Sequence, residues 1–495
     1  MSDYLTPTDP CLLDAVDQRA LLVAGELSAR ELLAAHRDRI ERLDVEINAI
    51  PTRSWQVAER EAAARDQAFA RGEWGERGEQ LPPLHGLVIA YKDLHDTAGV
   101  RTTYGSPVYA DHVPVVDDPL VARLRSAGAV MVGKTNTPEF GAGSHTFNPV
   151  LGTTRNPWDV TRSAGGSSGG AAAGVAARML SIADGSDVGG SLRNPPAFCG
   201  VVGLRPSLGR IPLIGPGHQH QRFRAYGPIG RSVGDVALGL SAMAGPDPLG
   251  LLSLAEPGST FAPPLPPLPP LSPSSEPARS VRVAYSEDLG GLPLEPAVRA
   301  AVRAAADALA SAGWLVEEAT PPLGGVDDCF ERIRAWMFAA DPGGRLGADR
   351  HRVKATVQQE IADGERLTGA DLSRAFAAET RLALGARQFF RRYDLMLTPT
   401  TQVLPFAVEQ EWVREIDGVT LHRYTDWMRI CSRLTVLDVP VLSLPIGTTV
   451  PTPAAPAGLP VGVQLAAAPG ADLRLLQLAA AVEAVLGRLG PPPLG

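Results

Sequence analysis

Cysteine is scarce in this sequence: Cys11, Cys199, Cys329 and Cys431 are the only four in 495 residues. They lie far apart and form no C-x-x-C pair, so neither a zinc site nor a disulfide framework is expected. Reduced thiols in the cytoplasm fit that pattern best. The nine histidines include no H-E-x-x-H, and the neighbours His218 and His220 alone make a poor metal site. No metal or organic cofactor is expected. No apolar run approaches the ~18 residues of a membrane span. The first residues, MSDYLTPTDP, place no basic region ahead of an apolar one, so no secretory leader is expected. Positive charge is not in excess either. Lys and Arg total 46 against 54 Asp and Glu, a net charge of −8. That balance argues against a nucleic-acid binder working through a general basic surface. No repeat of fixed period is visible.

What is present is core-forming material, 44% hydrophobic against 20% charged, which argues against wholesale disorder. Residues 1–65 read as helices. Ser28-Ala-Arg-Glu31 is a capping box, and Leu32, His36, Ile40 and Leu43 follow at helical spacing, with His36 read as packed. Leu87–Tyr91 and Ala129–Val132 read as strands around a short helix at Pro119–Gly128, a strand–helix–strand order that predicts an α/β layer with parallel strands. Pro263–Pro277 is a stiff proline-rich connector. Beyond it come a strand at Val281–Tyr285, a helix at Pro296–Gly313, helices to about Tyr393, and strands at Leu395–Leu397, Val441–Ile446 and Val461–Leu465. Asp472 is expected to cap the last helix. The length permits three domains, but a single α/β domain is expected. In it residues 80–240 carry the core chemistry and 280–495 supply the other half.

Three motifs compete for the chemistry. Gly128-Ala-Val-Met-Val-Gly-Lys-Thr135 matches the phosphate-binding loop expression, but its middle residues belong in a strand, and Pro138 interrupts the helix that should follow. Gly166-Ser-Ser-Gly-Gly170 matches G-x-S-x-G with Ser168 as nucleophile, yet the stretch before it, Asn156–Ala164, is polar and turn-like where a buried strand is required. The third is a joint pattern: Lys92 at a strand end, the loop Ala164-Gly-Gly-Ser-Ser-Gly-Gly170, and the loop Asp187-Val-Gly-Gly-Ser-Leu-Arg193. Taken singly, each reads better as turns, caps and a solvated charge.

Together these segments resemble the amidase signature family, whose members carry a lysine after a strand, a GGSSGG loop and a DxGGS[IL]R loop in that order. The likeness continues through Cys199–Pro206, Gly227–Asp235, Gly133–Asn136, Tyr393–Pro399 and Gly458–Gln464. It covers about residues 10 to 490. It implies a mixed central β-sheet with helices on both faces. It implies Ser191 as nucleophile, Ser167 as bridging serine held by a cis peptide, Lys92 as general base, and Ser168 as a neighbour that steadies the loop. It also places Thr135, Asn136, Gly143 and Ser144 beside the substrate cleft. The run Thr435-Val-Leu-Asp438 departs from the family pattern, so substrate contacts of other members do not transfer there.

Serine is a weak nucleophile until a base takes its proton. A lysine serves only when neutral, so its pKa must fall from about 10.4 by desolvation or nearby positive charge. Lys92, ending an apolar strand, is placed for that burial. The backbone N–H groups of Val188, Gly189, Gly190 and Ser191 are candidate oxyanion donors, and Asp187 and Arg193 are read as scaffolding for the loop. The expected activity is hydrolysis of a carboxylic amide C–N bond through an acyl-enzyme, with ester or carbamate cleavage adjacent in mechanism. A glutaminase subunit of a tRNA-dependent amidotransferase, a phosphate-binding NTPase and a noncatalytic scaffold are the alternatives. The expected partner is a small-molecule amide, with neither nucleic acid nor membrane, for a monomer or homodimer. Trp336, Met337 and Phe338 fit a helix stripe in the core better than a pocket wall.

Overall fold

The structure, a computed structural model, describes residues 9–73, 81–215, 219–268, 280–451 and 458–494. Most of the proline-rich connector and His218 lie outside these residues. After a 3-10 turn at Pro10–Leu12, the described residues form the α-helices Ala15–Ala24, Ala29–Ile47 and Trp55–Ala70. The second begins as its sequence requires: Ser28 Oγ accepts the Glu31 N–H at 3.2 Å, and the Glu31 carboxylate accepts the Ser28 N–H at 2.9 Å. His36 is fully buried on this helix, and burial pushes its pKa down to about 3, as a packed neutral imidazole requires.

Among the described residues eight strands form the central mixed sheet. Their spatial order is Leu315–Glu318, Arg282–Tyr285, Leu395–Pro399, Pro460–Ala466, Val441–Thr448, Val202–Arg205, Ala225–Gly230 and Ala183–Asp187. The first three are mutually parallel and the remaining pairings are antiparallel. The central strands read as near-continuous apolar runs because helices cover the sheet. Helix Asp472–Leu486, for example, packs on Val441–Thr448 and on helix Pro296–Ser311. A second apolar cluster joins helices Val326–Ala340 and Gly369–Phe389 to the sheet residues Ala284, Met396, Val441 and Ala466, while Val357 and Ile361 of helix Ala355–Glu365 meet Phe338 in a smaller one.

The strands Val88–Lys92 and Val130–Thr135 are parallel, as predicted, but they belong to a separate three-stranded sheet completed by Thr52–Arg53. Three further expectations are corrected. The segment read as turn-like contains the strand Asp159–Ser163, paired with Arg155–Asn156 in a small hairpin. The stretch read as helical to Tyr393 is interrupted by the edge strand Leu315–Glu318. Asp472 does not cap its own helix: its carboxylate accepts the Ser207 N–H at 2.7 Å and Arg210 Nε–H at 3.0 Å, tying the helix to a distant loop. Among the described residues no helix is long and apolar enough to cross a membrane, and no His, Cys, Asp or Glu cluster suits a metal ion.

Candidate active site

The loop joining Ser163 to the helix Gly169–Ala176 carries two adjacent serines, and its placement depends on glycine. A Cβ on Gly166 would stand 2.8 Å from the His145 backbone nitrogen, and one on Gly170 would stand 2.3 Å from that of Asn136, so neither position admits a side chain. Thr146 Oγ1 braces both ends of the loop, donating to Gly165 O at 2.8 Å and accepting the Gly169 N–H at 3.1 Å. The Gly166–Ser167 peptide is cis.

Lys92 ends a strand in which every residue is buried. Its Nζ lies 2.8 Å from Ser167 Oγ, 2.8 Å from Ser168 Oγ and 3.1 Å from Ser186 Oγ. Complete burial pushes the amine down to about 7, against the opposing pull of the Asp184 and Asp187 carboxylates. Lys134, the lysine of the phosphate-loop match, is occupied elsewhere. It is buried in the strand Val130–Thr135, and its amine donates to His95 O and to Thr97 Oγ1.

Ser191 sits in the turn between the strand Ala183–Asp187 and the helix Asn194–Cys199. Asp187 shapes that turn. Its carboxylate accepts the N–H groups of Gly190 at 2.9 Å and Leu192 at 3.0 Å, and takes Arg193 Nε–H at 3.0 Å and Nη2–H at 2.9 Å. Burial alone would raise this carboxylate. Arg193 and then Arg205 outweigh it and hold the pKa at about 2. Arg193 extends the tie to Cys431 O at 2.7 Å and Thr435 Oγ1 at 2.8 Å, so the run that departs from the family pattern supports this loop. The Gly190 N–H is spent on Asp187, which corrects its assignment as an oxyanion donor. Among the described residues the N–H groups of Val188, Gly189 and Ser191 make no hydrogen bond.

A cavity of about 520 Å³ joins these parts, and Ser167, Ser186, Val188, Gly189 and Ser191 face it. Ser191 Oγ makes no hydrogen bond among the described residues, so the chain from the amine is closed as far as Ser167 and open beyond it. Of the residues expected beside the cleft, Gly143 lines the cavity and Thr135, Asn136 and Ser144 do not. Asn136 is a brace: its backbone N–H donates to Ala49 O at 2.9 Å and its side chain to Thr154 Oγ1 at 3.1 Å. Trp336 packs edge-on to Phe376 away from the cavity, whereas Met337 and Phe338 do line it, a correction to the purely core reading. The wall also includes Tyr104, Phe140 and Tyr424, which sequence reasoning missed because they carry no motif and meet only in the fold.

A lysine half-neutral near pH 7, serine hydroxyls within its reach and unpaired backbone donors on one cavity are the equipment of an acyl-transfer hydrolase. The comparisons agree with that class. The family model described as Amidase matches residues 31–476, and the chain belongs to this family of enzymes that hydrolyse amide carbon–nitrogen bonds. It is 34% identical to an acylamidase of Rhodococcus erythropolis, over 96% of this chain and 95% of the relative. It is 35% identical to a glutamyl-tRNA(Gln) amidotransferase subunit of Moorella thermoacetica, over 95% of this chain and 96% of the relative. Among solved structures it resembles a 6-aminohexanoate cyclic dimer hydrolase, with a TM-score of 0.78 and 29% identity, over 96% of this chain and 97% of that one.

Proposed function

We propose that the protein hydrolyses amides through an acyl-enzyme on Ser191, with Ser167 relaying protons to neutral Lys92. The observation that carries this reading is the buried amine, lowered to about 7, standing 2.8 Å from a serine on the cavity wall. A neutral amine has two N–H donors and one lone pair. Ser168 Oγ lies 3.4 Å from Ser186 O as its own acceptor, so its oxygen can take one amine N–H, and Ser186 Oγ takes the other. The lone pair is left for the Ser167 hydroxyl. Ser167 then accepts the Ser191 proton as Ser191 Oγ bonds to the carbonyl carbon. The link between the two serines is the one that must shorten when substrate fills the cavity, as catalytic hydrogen bonds commonly do. The oxyanion falls to the free N–H groups of Val188, Gly189 and Ser191. As the C–N bond breaks, the proton returns along the same path to the leaving nitrogen, and water deprotonated by Ser167 releases the acid.

The aromatic rings on the wall favour an amide with a bulky aryl or alkyl portion over the small free glutamine, which supports an acylamidase over an amidotransferase subunit. We assign the enzyme to the cytoplasm, in keeping with four unpaired thiols, as a monomer or homodimer. A panel of anilides, alkyl amides, glutamine and matching esters, run with wild type and Ser191→Ala, tests the reading. Loss of turnover in a folded Ser191→Ala, together with loss of labelling by a fluorophosphonate, is expected. Unchanged turnover rejects Ser191, and a glutamine-only activity rejects the acylamidase.

A further inference from the structure

Arg224 stands on the cavity wall. It immediately precedes the strand Ala225–Gly230, in which Ala225 pairs with Asp187 and Tyr226 with Ser186. Continuing that register by one residue sets Arg224 across from Val188, at the level of the nucleophile turn. Its side chain is 35% exposed, and among the described residues it makes no hydrogen bond and has one carboxylate within reach, Asp341, at 3.8 Å. Asp341 is already held by Arg345, at 2.6 Å. Two guanidiniums therefore converge on one carboxylate. An arginine whose task was to hold Asp341 would sit at hydrogen-bond distance, as Arg345 does.

The other charges on the wall are engaged. Arg334 is buried and faces Glu360 at 3.5 Å. Asp96 accepts the Tyr104 hydroxyl, and Asp118 accepts the Leu120 N–H at 2.8 Å. Arg224 is thus a wall cation with no hydrogen-bonded donor among the described residues, whereas Arg334 spends one of its donors on the Tyr424 hydroxyl; the rest of the cavity is rich in aromatic rings. A guanidinium fork matches a carboxylate geometrically, and such charge-assisted bonds strengthen as water is displaced.

We infer that Arg224 is a specificity residue that selects amides carrying a carboxylate on their acyl or amine portion. This rests on the amidase reading of the same cavity. The test compares kcat/KM of the full-length enzyme for two pairs: succinanilate against butyranilide, and 4-acetamidobenzoate against acetanilide. In at least one pair the wild type is expected to favour the anion about tenfold, the scale of one charge-assisted hydrogen bond in a partly wet site. The ratio should fall about tenfold in Arg224→Gln, fall less in Arg224→Lys, and shrink as ionic strength rises. No preference in the wild type, or one that survives Arg224→Gln, overturns the inference while leaving the amidase reading intact. Ser191-independent turnover of the neutral anilides overturns the reading itself. Should none of the four be turned over, calorimetric binding of the same compounds to Ser191→Ala decides the matter: tighter binding of the anions supports the inference, and equal or absent binding overturns it.

Discussion

Ser163 Oγ and His145 Nδ1 lie 2.7 Å apart beneath the loop that carries Ser167, and the hydroxyl oxygen accepts the Gly165 N–H at 3.0 Å. The other ring nitrogen, Nε2, faces the Val408 carbonyl at 2.9 Å and must carry the proton. Nδ1 is then an acceptor for the Ser163 hydroxyl. Burial pushes this histidine down to about 4, so it stays neutral at pH 7. A directional line of hydrogen bonds thus runs from the Val408 carbonyl to a point two residues before the bridging serine.

Ser163→Ala removes the middle of that line. It leaves a buried ring nitrogen and a buried N–H unpaired, at a cost of about 1–3 kcal/mol. Urea unfolding should show that loss. Anilide kinetics should show kcat falling about tenfold or more with KM little changed, because the loop shifts relative to the reacting carbonyl.

The Lys92 amine predicts the pH profile. A base must be unprotonated, so kcat/KM should rise with pH about a midpoint near 7. The same shift has a stability limb. The unfolded lysine keeps its proton up to about 10.4, so between about 7 and about 10.4 the unfolded state binds more protons and stability rises with pH. Below about 7 both states are protonated and this contribution is flat. Lys92→Met should lose about 10²–10⁴-fold in rate and lack both the kinetic midpoint and this limb.

Asp187→Ala strands a fully buried Arg193 beside an unpaired Arg205. Such an uncompensated charge costs about 3–5 kcal/mol, measurable as a lower urea midpoint. In the wild type the Asp187 contribution is fully present above the unfolded carboxylate value of about 3.9. It is lost as pH falls through about 2, where the folded group protonates. The acid limb of the wild-type stability curve between these values should be shallower in the variant.

Gly190 has φ of +139°, and a Cβ there would stand 2.8 Å from Cys431 Cβ. Gly190→Ala should displace the turn holding Ser191, lowering kcat by about 10²-fold through misplaced N–H donors. The check is the rate of fluorophosphonate labelling, which should fall in parallel.

The parts of the site legible in the sequence are those made by local backbone demands. Glycines at 166, 189 and 190, and a lysine closing an apolar strand, leave a mark because no other residues satisfy the geometry. The capture of the Gly190 N–H by Asp187 left none, since it depends on how one carboxylate turns back on its own loop. The cavity wall was equally silent: Tyr104, Phe140, Arg224, Phe338 and Tyr424 come from distant segments and meet only through packing. The strand Asp159–Ser163 was missed because it is half-exposed and polar, and Leu315–Glu318 because an edge strand ending in two glutamates lacks a buried alternation. Asp472 misled because its helix start matched a cap, while its carboxylate found its partners, Ser207 and Arg210, in a remote part of the chain.

The strand ending in Lys92 belongs to the three-stranded sheet, and the strand leading to Ser191 is the edge of the eight-stranded one. They are stitched by the Lys92 N–H to Asp184 at 3.1 Å and the Ser181 N–H to Val88 O at 2.9 Å. Base and nucleophile thus ride on different sheets, and the distance a proton must travel between them is set by how those sheets are docked.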